Sequence, residues 1–285
     1  MNVLNLFKYY SPKYGSNDNL SFYTQGELYF QQPIKFNDPW DCKSPPITIS
    51  RQLNALRQLW VNLGDNNGHI FTDNEWNKLN KLSRSEIKKY FSTLYQSAFD
   101  NQRARIGVFS LSFIPDSELM WSHYAKSHTG YMLHFQINLE EYMNTAGIET
   151  TGIPIPVVYK NTRQTWNMVN YYKDREKHMY DLVRYKSKAW EYECELRLLN
   201  TSKHGFLKTP NNWLKSIVTG INTEDKFKNK LKSIGNELNI DVYTSIMSKD
   251  KYEILIPGLE INGSNGKNQY QYLLDSQILD LNTNK

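Results

Sequence analysis

The stretch KSKAWEYECELRLLN, residues 186–200, ends in a regular alternation of charged and apolar side chains. Because residues two apart in a β-strand share a face, this alternation predicts a strand with two different faces. One face is predicted to be charged and to consist of Glu191, Glu193, Glu195 and Arg197. The other is predicted to lie in the core and to consist of Tyr192, Cys194, Leu196 and Leu198.

The charged face has two interpretations, and the residues alone leave both open. It is either a solvated strand face held by salt bridges or the charged wall of an active site. In an active site, Arg197 would keep one carboxylate ionised, while crowding would raise the pKa of another. The alternation therefore identifies candidate residues without deciding between a structural and a chemical role.

Further strands are predicted along the rest of the chain from the same kind of alternation. They are VLNLFKYYS (3–11), ELYFQ (27–31), IGVFSLSF (106–113), YMLHFQI (131–137), IPVVYK (155–160) and SIVTG (216–220). Helical spacing is found within 51–104, 117–126, 163–187 and 223–237. Because strands and helices do not alternate regularly, the pattern predicts an α+β fold with a central, largely antiparallel sheet and inserted helices.

The predicted organisation is a single domain over residues 1–285. A helical insertion is expected at about 51–104, where Ser83 and Glu86 have the spacing of a capping box. A loose polar tail is expected from about residue 262.

The composition favours a folded protein in the cytosol. Of the 285 residues, 39% are hydrophobic and 22% charged, which is typical of globular chains and excludes intrinsic disorder. No signal peptide and no apolar run of about 18 residues is present, so no membrane span is predicted. The net charge of +5 is spread along the chain without a cationic run, so nucleic-acid binding is allowed but not indicated.

Two serines on the predicted strand 106–113 are candidate ligand contacts. Ser110 and Ser112 share one face, opposite Phe109, Leu111 and Phe113. The two hydroxyls could bind a ribose or phosphate, or simply satisfy a polar strand face. The segment is not a nucleophile elbow, so serine hydrolysis has little support.

The segment MWSHYAKSHTGYMLHF, residues 120–135, concentrates aromatic and imidazole rings. Trp121, His123 and Tyr124 lie close enough in sequence to form a stacking site for a planar ring. Ordinary packing inside the fold is the alternative. The spacing of His123 and His128 does not match a zinc-binding HExxH motif, so a metal site there is weakly supported.

Two N-terminal segments hold further candidates. Lys8 and Tyr10 share a face of the first predicted strand, where a cation could hold a phosphate. In FNDPWD, residues 36–41, the acidic and amide side chains Asn37, Asp38 and Asp41 either shape a turn or bind a metal. The turn is the favoured interpretation.

These segments, taken in order, resemble a large bacterial family of uncharacterised proteins. The hallmarks of that family are an FNDPxD turn, an MWxHYAxxHxG segment and a WxxExExR strand, and this chain has FNDPWD, MWSHYAKSHTG and WEYECELR. The resemblance extends over nearly the whole chain. Members of the family commonly have Arg where this chain has Tyr10, which leaves Lys8 as the candidate cation of the first strand.

The order of the motifs is also similar to that of the ADP-ribosyltransferase superfamily. That resemblance implies NAD as cofactor, with Lys8 and the neighbouring Tyr10 near its phosphates and Ser110 and Ser112 on its ribose. It implies Glu195 as the catalytic carboxylate and Glu193 as its partner. It also implies stacking and polar contacts from Trp121, Tyr124 and His123, of which His123 is grouped with the catalytic residues.

The expected function is therefore that of an NAD-dependent ADP-ribosyltransferase-like effector, such as a toxin or phage-defence protein, that modifies a macromolecule. One alternative is a non-enzymatic sensor or partner-binding module, in which the same motifs serve packing. The other is a metal-dependent nuclease that uses Asp38, Asp41 and the glutamates with His123. The substrate and the oligomeric state are not specified by the sequence.

Overall fold

The structure is a computed structural model. It describes residues 3–12, 26–48, 72–79, 81–144, 152–167, 170, 174–210 and 212–276. A seven-stranded sheet forms its centre. In spatial order the strands are β13 (Asp241–Thr244), β12 (Leu214–Thr219), β5 (Tyr131–Asn138), β1 (Val3–Tyr10), β4 (Gly107–Ser112), β10 (Glu195–Asn200) and β6 (Ile153–Pro156).

All neighbouring strands of this sheet are antiparallel except β12 and β13, which are parallel. Four two-stranded sheets lie around it. They pair β2 (Glu27–Phe30) with β11 (Gly205–Lys208), β3 (Ile47–Thr48) with β8 (Trp166–Asn167), β7 (Val158–Lys160) with β9 (Tyr185–Ser187), and β14 (Ile246–Met247) with β15 (Ile254–Leu255). The prediction of an α+β fold with a mostly antiparallel central sheet is confirmed.

The described residues form seven α-helices and two short 3-10 helices. The α-helices are α1 (Asp73–Leu79), α2 (Arg84–Arg105), α3 (Glu118–Tyr124), α4 (Leu139–Asn144), α5 (Arg175–Arg184), α6 (Asp225–Leu238) and α7 (Gly263–Asp275). The 3-10 helices span Pro33–Lys35 and Lys188–Glu193. No helix in these ranges is long and apolar enough to cross a membrane.

Helices cover both faces of the sheet because its central strands are apolar on both sides. On β1, Leu4 and Leu6 lie in the cluster that contains Phe227 of α6 and Leu273 of α7. Phe7 of the same strand faces the other way and packs with residues of α3. Helices α2 and α5 cover β4, β10 and β6 on that second face.

The predicted charged strand is shorter than expected, and this part of the prediction is wrong. Strand β10 begins at Glu195, and the preceding residues Lys188–Glu193 form a 3-10 helix. The Ser187 hydroxyl caps that helix, and Cys194 ends it in the left-handed region at φ 41°. Glu191 is consequently exposed, whereas Glu193 is buried.

Other boundaries also differ from the predictions. The tail predicted to be loose from residue 262 contains α7, which begins with a capping box made by Asn262 and Asn265. Within the long helix predicted over 163–187, the described residues include α5, but Trp166–Asn167 are a strand and Tyr185–Ser187 are another. The capping box of Ser83 and Glu86 at the start of α2 is confirmed. Residues 51–71 and residue 80 of the predicted helical insertion lie outside the described residues.

Candidate functional site

A cavity of about 770 Å³ opens where the two central strands β1 and β4 separate. The strands are paired at Phe7 and Ser112. Nearer the start of β4, Val108 forms two backbone hydrogen bonds with Gln31 instead of with β1, with N–O distances of 2.8 and 2.9 Å. The end of β1 and the start of β4 therefore diverge and leave a notch. Its volume is within the range typical of small-molecule sites.

The notch has aromatic walls. Tyr29 of β2 and Phe206 of β11 meet edge to face at its rim, with ring centroids 4.9 Å apart, and both are partly exposed. The other aromatic and sulfur-containing side chains that line it are Phe7, Tyr9, Tyr10, Phe36, Met120 and Tyr124. Rings of this kind provide flat apolar contacts for a planar ligand.

The floor of the notch carries five charged side chains, which we call the acid–base cluster: Asp41, Lys186, Glu193, Glu195 and Arg197. Arg197 is completely buried. Its two terminal nitrogens donate to Asp41 at 2.9 and 2.6 Å, and its Nε donates to Glu195 Oε1 at 2.8 Å. Arg197 also donates to the Val183 carbonyl of α5 at 2.8 Å.

Lys186 is the second cation of the acid–base cluster and contacts all three carboxylates. Its ammonium lies 3.2 Å from Glu195 Oε2, 3.7 Å from Asp41 Oδ2, and within hydrogen-bond distance of Glu193 Oε2. Three carboxylates and two cations leave one net negative charge when all are ionised. Lys8, which also lines the notch, would balance it.

The two glutamates have opposite pKa shifts. Burial alone would raise the pKa of Glu195, but Arg197 and Lys186 hold it well below its ordinary value. Burial and the charge of Glu195 raise the pKa of Glu193 to about 7, although Lys186 opposes this. One carboxylate thus stays ionised while the other titrates near neutral pH. Such a divergence is typical of acid–base sites in enzymes.

Hydrogen bonds hold both the backbone and the side chain of Glu193. The Ser112 hydroxyl donates to its backbone carbonyl at 2.6 Å. The Tyr124 hydroxyl donates to its Oε1 at 2.6 Å. The left-handed turn at Cys194 lets the chain leave the 3-10 helix and enter β10, so that Glu193 and Glu195 point into the same cluster.

Lys8 joins the two diverging strands. Its ammonium donates to the Ser110 carbonyl at 2.7 Å and lies 5.0 Å from the centroid of Phe109. Burial lowers the pKa of Lys8 to about 8, although Glu195 and Glu193 oppose this shift. The hydrogen bond satisfies a backbone acceptor that faces the notch rather than a neighbouring strand.

Seven of the nine predicted site residues line the notch: Lys8, Tyr10, Ser110, Ser112, Tyr124, Glu193 and Glu195. Ser112 is buried, and its hydroxyl donates to the backbone carbonyl of Glu193. Ser110 is half-buried, and its hydroxyl bond to Glu195 helps to lower the pKa of that carboxyl.

Trp121 and His123 do not line the notch, so the structure does not bring them together with the other predicted site residues. Trp121 is completely buried, where its indole N–H donates to the Pro115 carbonyl at 3.0 Å. His123 is exposed, and its Nδ1 lies 2.9 Å from the Tyr192 hydroxyl. On a single turn of helix α3, only Met120 and Tyr124 point toward the notch.

Sequence reasoning missed Lys186 and the partner of Arg197. In FNDPWD, Asn37 and Asp38 form the predicted turn, because their side chains accept from the N–H groups of Asp38 and Trp40 at 3.0 and 2.9 Å. Asp41 lies just beyond this turn and pairs with Arg197. A signal was present, since a buried arginine on a strand requires a carboxylate partner.

The carboxylates are not arranged as a metal site. In the part of the chain that the structure describes, no group of three or more His, Cys, Asp or Glu side chains could hold a metal ion. Asp41, Glu193 and Glu195 each contact a cation of the protein instead. Asp38 and His123 do not line the notch with these carboxylates, so the geometry does not assemble the residue set of the nuclease alternative there.

Comparison with known proteins assigns one segment of the chain. A family model described as "Protein of unknown function (DUF2971)" matches residues 120–198. No curated protein and no solved structure matches the chain. The matched segment includes MWSHYAKSHTG and WEYECELR, together with Lys186, but not FNDPWD or β1. Over residues 120–198, which supply most of the acid–base cluster, the chain is therefore similar to an uncharacterised family.

Proposed function

We propose that this chain is an NAD-consuming enzyme of the ADP-ribosyltransferase type that modifies a macromolecule. One observation carries the proposal. A carboxylate that stays ionised, Glu195, and one that titrates near neutral pH, Glu193, line a ligand-sized notch together with Lys8 and Ser110. This combination suits a reaction in which positive charge develops on a sugar and a proton is removed from a nucleophile.

The proposed reaction breaks the bond between C1′ of the nicotinamide ribose and the ring nitrogen of nicotinamide. The bonding electron pair stays with that nitrogen, which neutralises the pyridinium, and positive charge develops on the ribose. An N–H or O–H nucleophile of the acceptor, or water, then bonds to C1′ and gives up its proton. With water the products are nicotinamide, ADP-ribose and one proton.

Glu193 is assigned as the general base that takes the proton of the nucleophile. Glu195 is the neighbouring carboxylate that stays ionised. Glu193 accepts a proton readily only when it is ionised, and its pKa of about 7 places this change near neutral pH. Its ionisation also brings the charge of the acid–base cluster and Lys8 to zero, which removes a net repulsion of the ribosyl cation. Glu195 raises the pKa of Glu193 and stays anionic throughout.

The remaining residues of the notch are assigned to binding. The Lys8 ammonium faces the notch and can contact the pyrophosphate. Ser110 is the candidate ribose contact, since it is half-buried, whereas Ser112 is buried and its hydroxyl donates to the Glu193 carbonyl. Tyr29 and Phe206 at the rim offer ring faces to adenine or nicotinamide.

A second function, that of a non-enzymatic sensor, is favoured by the completeness of the acid–base cluster. Arg197 donates to Asp41, Glu195 and Val183, and Lys186 contacts each carboxylate. A network with this many internal partners would also be expected in a purely structural role. In that case the variants that remove a carboxylate would change stability and no activity.

Nicotinamide release distinguishes the two functions. The wild type and Glu193→Gln are incubated with NAD, with and without cell extract, and free nicotinamide is measured. The proposal predicts release by the wild type and a loss of about 100-fold or more in Glu193→Gln, the usual effect of removing a general base. Glu191→Gln is the matched control, because Glu191 lies in the same 3-10 helix but is exposed.

A binding control accompanies this assay. Calorimetric titration with NAD should give saturable binding to both glutamine variants. If the wild type neither binds NAD nor releases nicotinamide with any extract, the proposal is wrong and the sensor function is favoured. An effector role, as a toxin or phage-defence protein, further predicts that expression slows growth of a host cell and that Glu193→Gln relieves this effect.

A further inference from the structure

A second cavity, of about 270 Å³, lies on the other side of the loop that carries Asp41. Along this loop, Asp41 lines the first notch, whereas Trp40 and Lys43 line the second cavity. Lys186 lines both. The second cavity is therefore adjacent to the acid–base cluster and shares Lys186 with it.

The exposed indole ring of Trp40 lines this second cavity. Trp40 is 59% exposed, which is unusual for a residue so large and apolar. The Lys43 ammonium lies 5.6 Å from the centroid of its ring, and the Arg163 guanidinium lies 5.4 Å from it. Arg163 is fixed by donating to the carbonyls of Lys43 and Ser44 at 3.2 and 2.6 Å.

A second pairing of a cation with an aromatic ring lines the same cavity. The Lys160 ammonium lies 4.2 Å from the centroid of Tyr185. Asp181 is the one acidic side chain among the described residues that line the cavity. Without Lys186, whose charge is matched by the acid–base cluster, three cations face one carboxylate. The surface is thus both basic and aromatic.

We propose that this second cavity binds single-stranded nucleic acid, with a base against Trp40 and phosphates on Lys43, Lys160 and Arg163. Aromatic rings interleaved with cations are what single strands require, because bases stack on the rings while cations follow the backbone. A cavity of 270 Å³ admits one unpaired base. The bases of a duplex are stacked inside the helix and are not free to enter.

The position of the cavity suggests what the strand is for. A nucleotide next to the one on Trp40 would lie near Lys186, which lines the notch as well. The strand would then be the macromolecular acceptor of the proposed reaction. This acceptor role rests on the proposed function, whereas binding of the strand does not.

The experiment measures binding of fluorescein-labelled single-stranded DNA and RNA of about ten nucleotides by fluorescence anisotropy. Trp40→Ala should weaken binding about tenfold or more, within the range that one stacked base contributes. Lys43→Ala and Arg163→Ala should weaken it and should each reduce the slope of log affinity against log salt by about one. A labelled duplex of the same length should bind more weakly than either single strand.

Tyr252→Ala is the matched control for the aromatic residue. Tyr252 is 99% exposed and lies between Lys251 and Glu253, on the hairpin that joins β14 to β15. Lys226→Ala is the control for the loss of one charge, because Lys226 is an exposed residue of α6. Both should bind the strand as the wild type does. Equal affinities for wild type and Trp40→Ala, or tighter binding of a phosphopeptide than of either strand, would overturn the inference.

The two proposals fail in different ways. If both proposals hold, Glu193→Gln binds the oligonucleotide normally, and Trp40→Ala still hydrolyses NAD in water. Nicotinamide release without oligonucleotide binding would overturn the second site and leave the NAD chemistry standing. Oligonucleotide binding lost in Trp40→Ala, without NAD turnover in any protein, would support the second site while removing its role in presenting an acceptor.

Discussion

Two buried polar clusters occupy the same face of the central sheet, on either side of Phe7 in β1. In the first, which we call the imidazole cluster, His134 lies 3.0 Å from Asn5 Oδ1 and 3.2 Å from the Ser216 hydroxyl. Its residues belong to the neighbouring strands β5, β1 and β12. The second is the acid–base cluster, which combines two residues of β10 with Lys186 of β9, Glu193 of the second 3-10 helix and the loop residue Asp41.

The clusters differ in charge and in access to a cavity. Burial lowers the pKa of His134 to about 4, so the imidazole cluster is neutral at pH 7. It lines neither the notch nor the second cavity. The acid–base cluster carries five ionisable groups and opens to the notch. Because burying charge is costlier than burying neutral polar groups, we infer that the imidazole cluster serves the fold and the acid–base cluster serves a ligand.

The largest effect is expected when Arg197 loses its charge. Arg197→Met leaves Asp41 and Glu195 buried with fewer cationic partners, since Lys186 alone remains. Breaking a buried ion pair in this way costs about 3–5 kcal/mol. Urea denaturation should therefore show a lower midpoint with an unchanged slope. A loss below about 1 kcal/mol would contradict the importance of the pairing.

The pH dependence of stability should have opposite signs in the two clusters. Glu193 in the folded state keeps its proton up to a pKa of about 7, against an ordinary value of 4.5. Between these values only the folded state binds that proton, so its contribution to the free energy of unfolding falls as pH rises. The fall is on the order of 3 kcal/mol. Glu193→Gln should remove it.

The contribution of His134 to the free energy of unfolding should change with pH in the opposite direction. Its pKa is about 4 when folded and 6.5 ordinarily, so between these values only the unfolded state binds the proton and stability rises with pH. Urea melts at half-unit steps from pH 4.5 to 7 would measure both contributions as differences between each variant and the wild type. Equal slopes for Glu193→Gln and wild type would contradict the raised pKa.

Removing the imidazole should have a smaller effect than removing Arg197. His134→Leu leaves the polar groups of Asn5 and Ser216 without this partner, which costs about 1–3 kcal/mol for buried neutral groups. The melting temperature should fall while NAD binding at 25 °C is retained. Loss of NAD binding in a folded His134→Leu protein would show that the two clusters are not separate in function.

The smallest effect is expected from Tyr124→Phe. The Tyr124 hydroxyl donates to Glu193 and favours its ionised form, so the variant should raise the pKa of Glu193 above about 7. The midpoint of the pH profile that reports the ionisation of Glu193 should move to higher pH by less than about one unit. A shift to lower pH would contradict the assigned hydrogen bond. Tyr192→Phe, which removes a hydroxyl bonded to the exposed His123, is the control.

The difference between the clusters also explains what the sequence could predict. Strands β4 and β5 follow from their alternating residues, and so does the start of β10 at Glu195. The alternation places Ser110 and Ser112 on one strand and Glu195 on another, but it does not predict that these strands are neighbours in the sheet. The pairing of Asp41 with Arg197 spans 156 positions and leaves no local pattern.

Two failures have local physical causes. The alternation around Glu193 is typical of a strand, but the Ser187 cap and the left-handed Cys194 favour a 3-10 helix instead. The rings of Trp121 and Tyr124 are nearly adjacent in sequence, yet helix α3 directs one into the core and the other into the notch. Residue type alone does not distinguish a ring that packs from a ring that lines a cavity.

The most direct test of the central claim is the pH profile of nicotinamide release from NAD. If Glu193 takes the proton, the wild-type rate should rise about tenfold per pH unit below pH 7 and level off above it. Glu193→Gln should be at least about 100-fold slower and should lack this dependence, while Glu191→Gln should match the wild type. A wild-type profile that is flat between pH 5.5 and 8.5, or one that survives in Glu193→Gln, would contradict the assignment of the acid–base cluster.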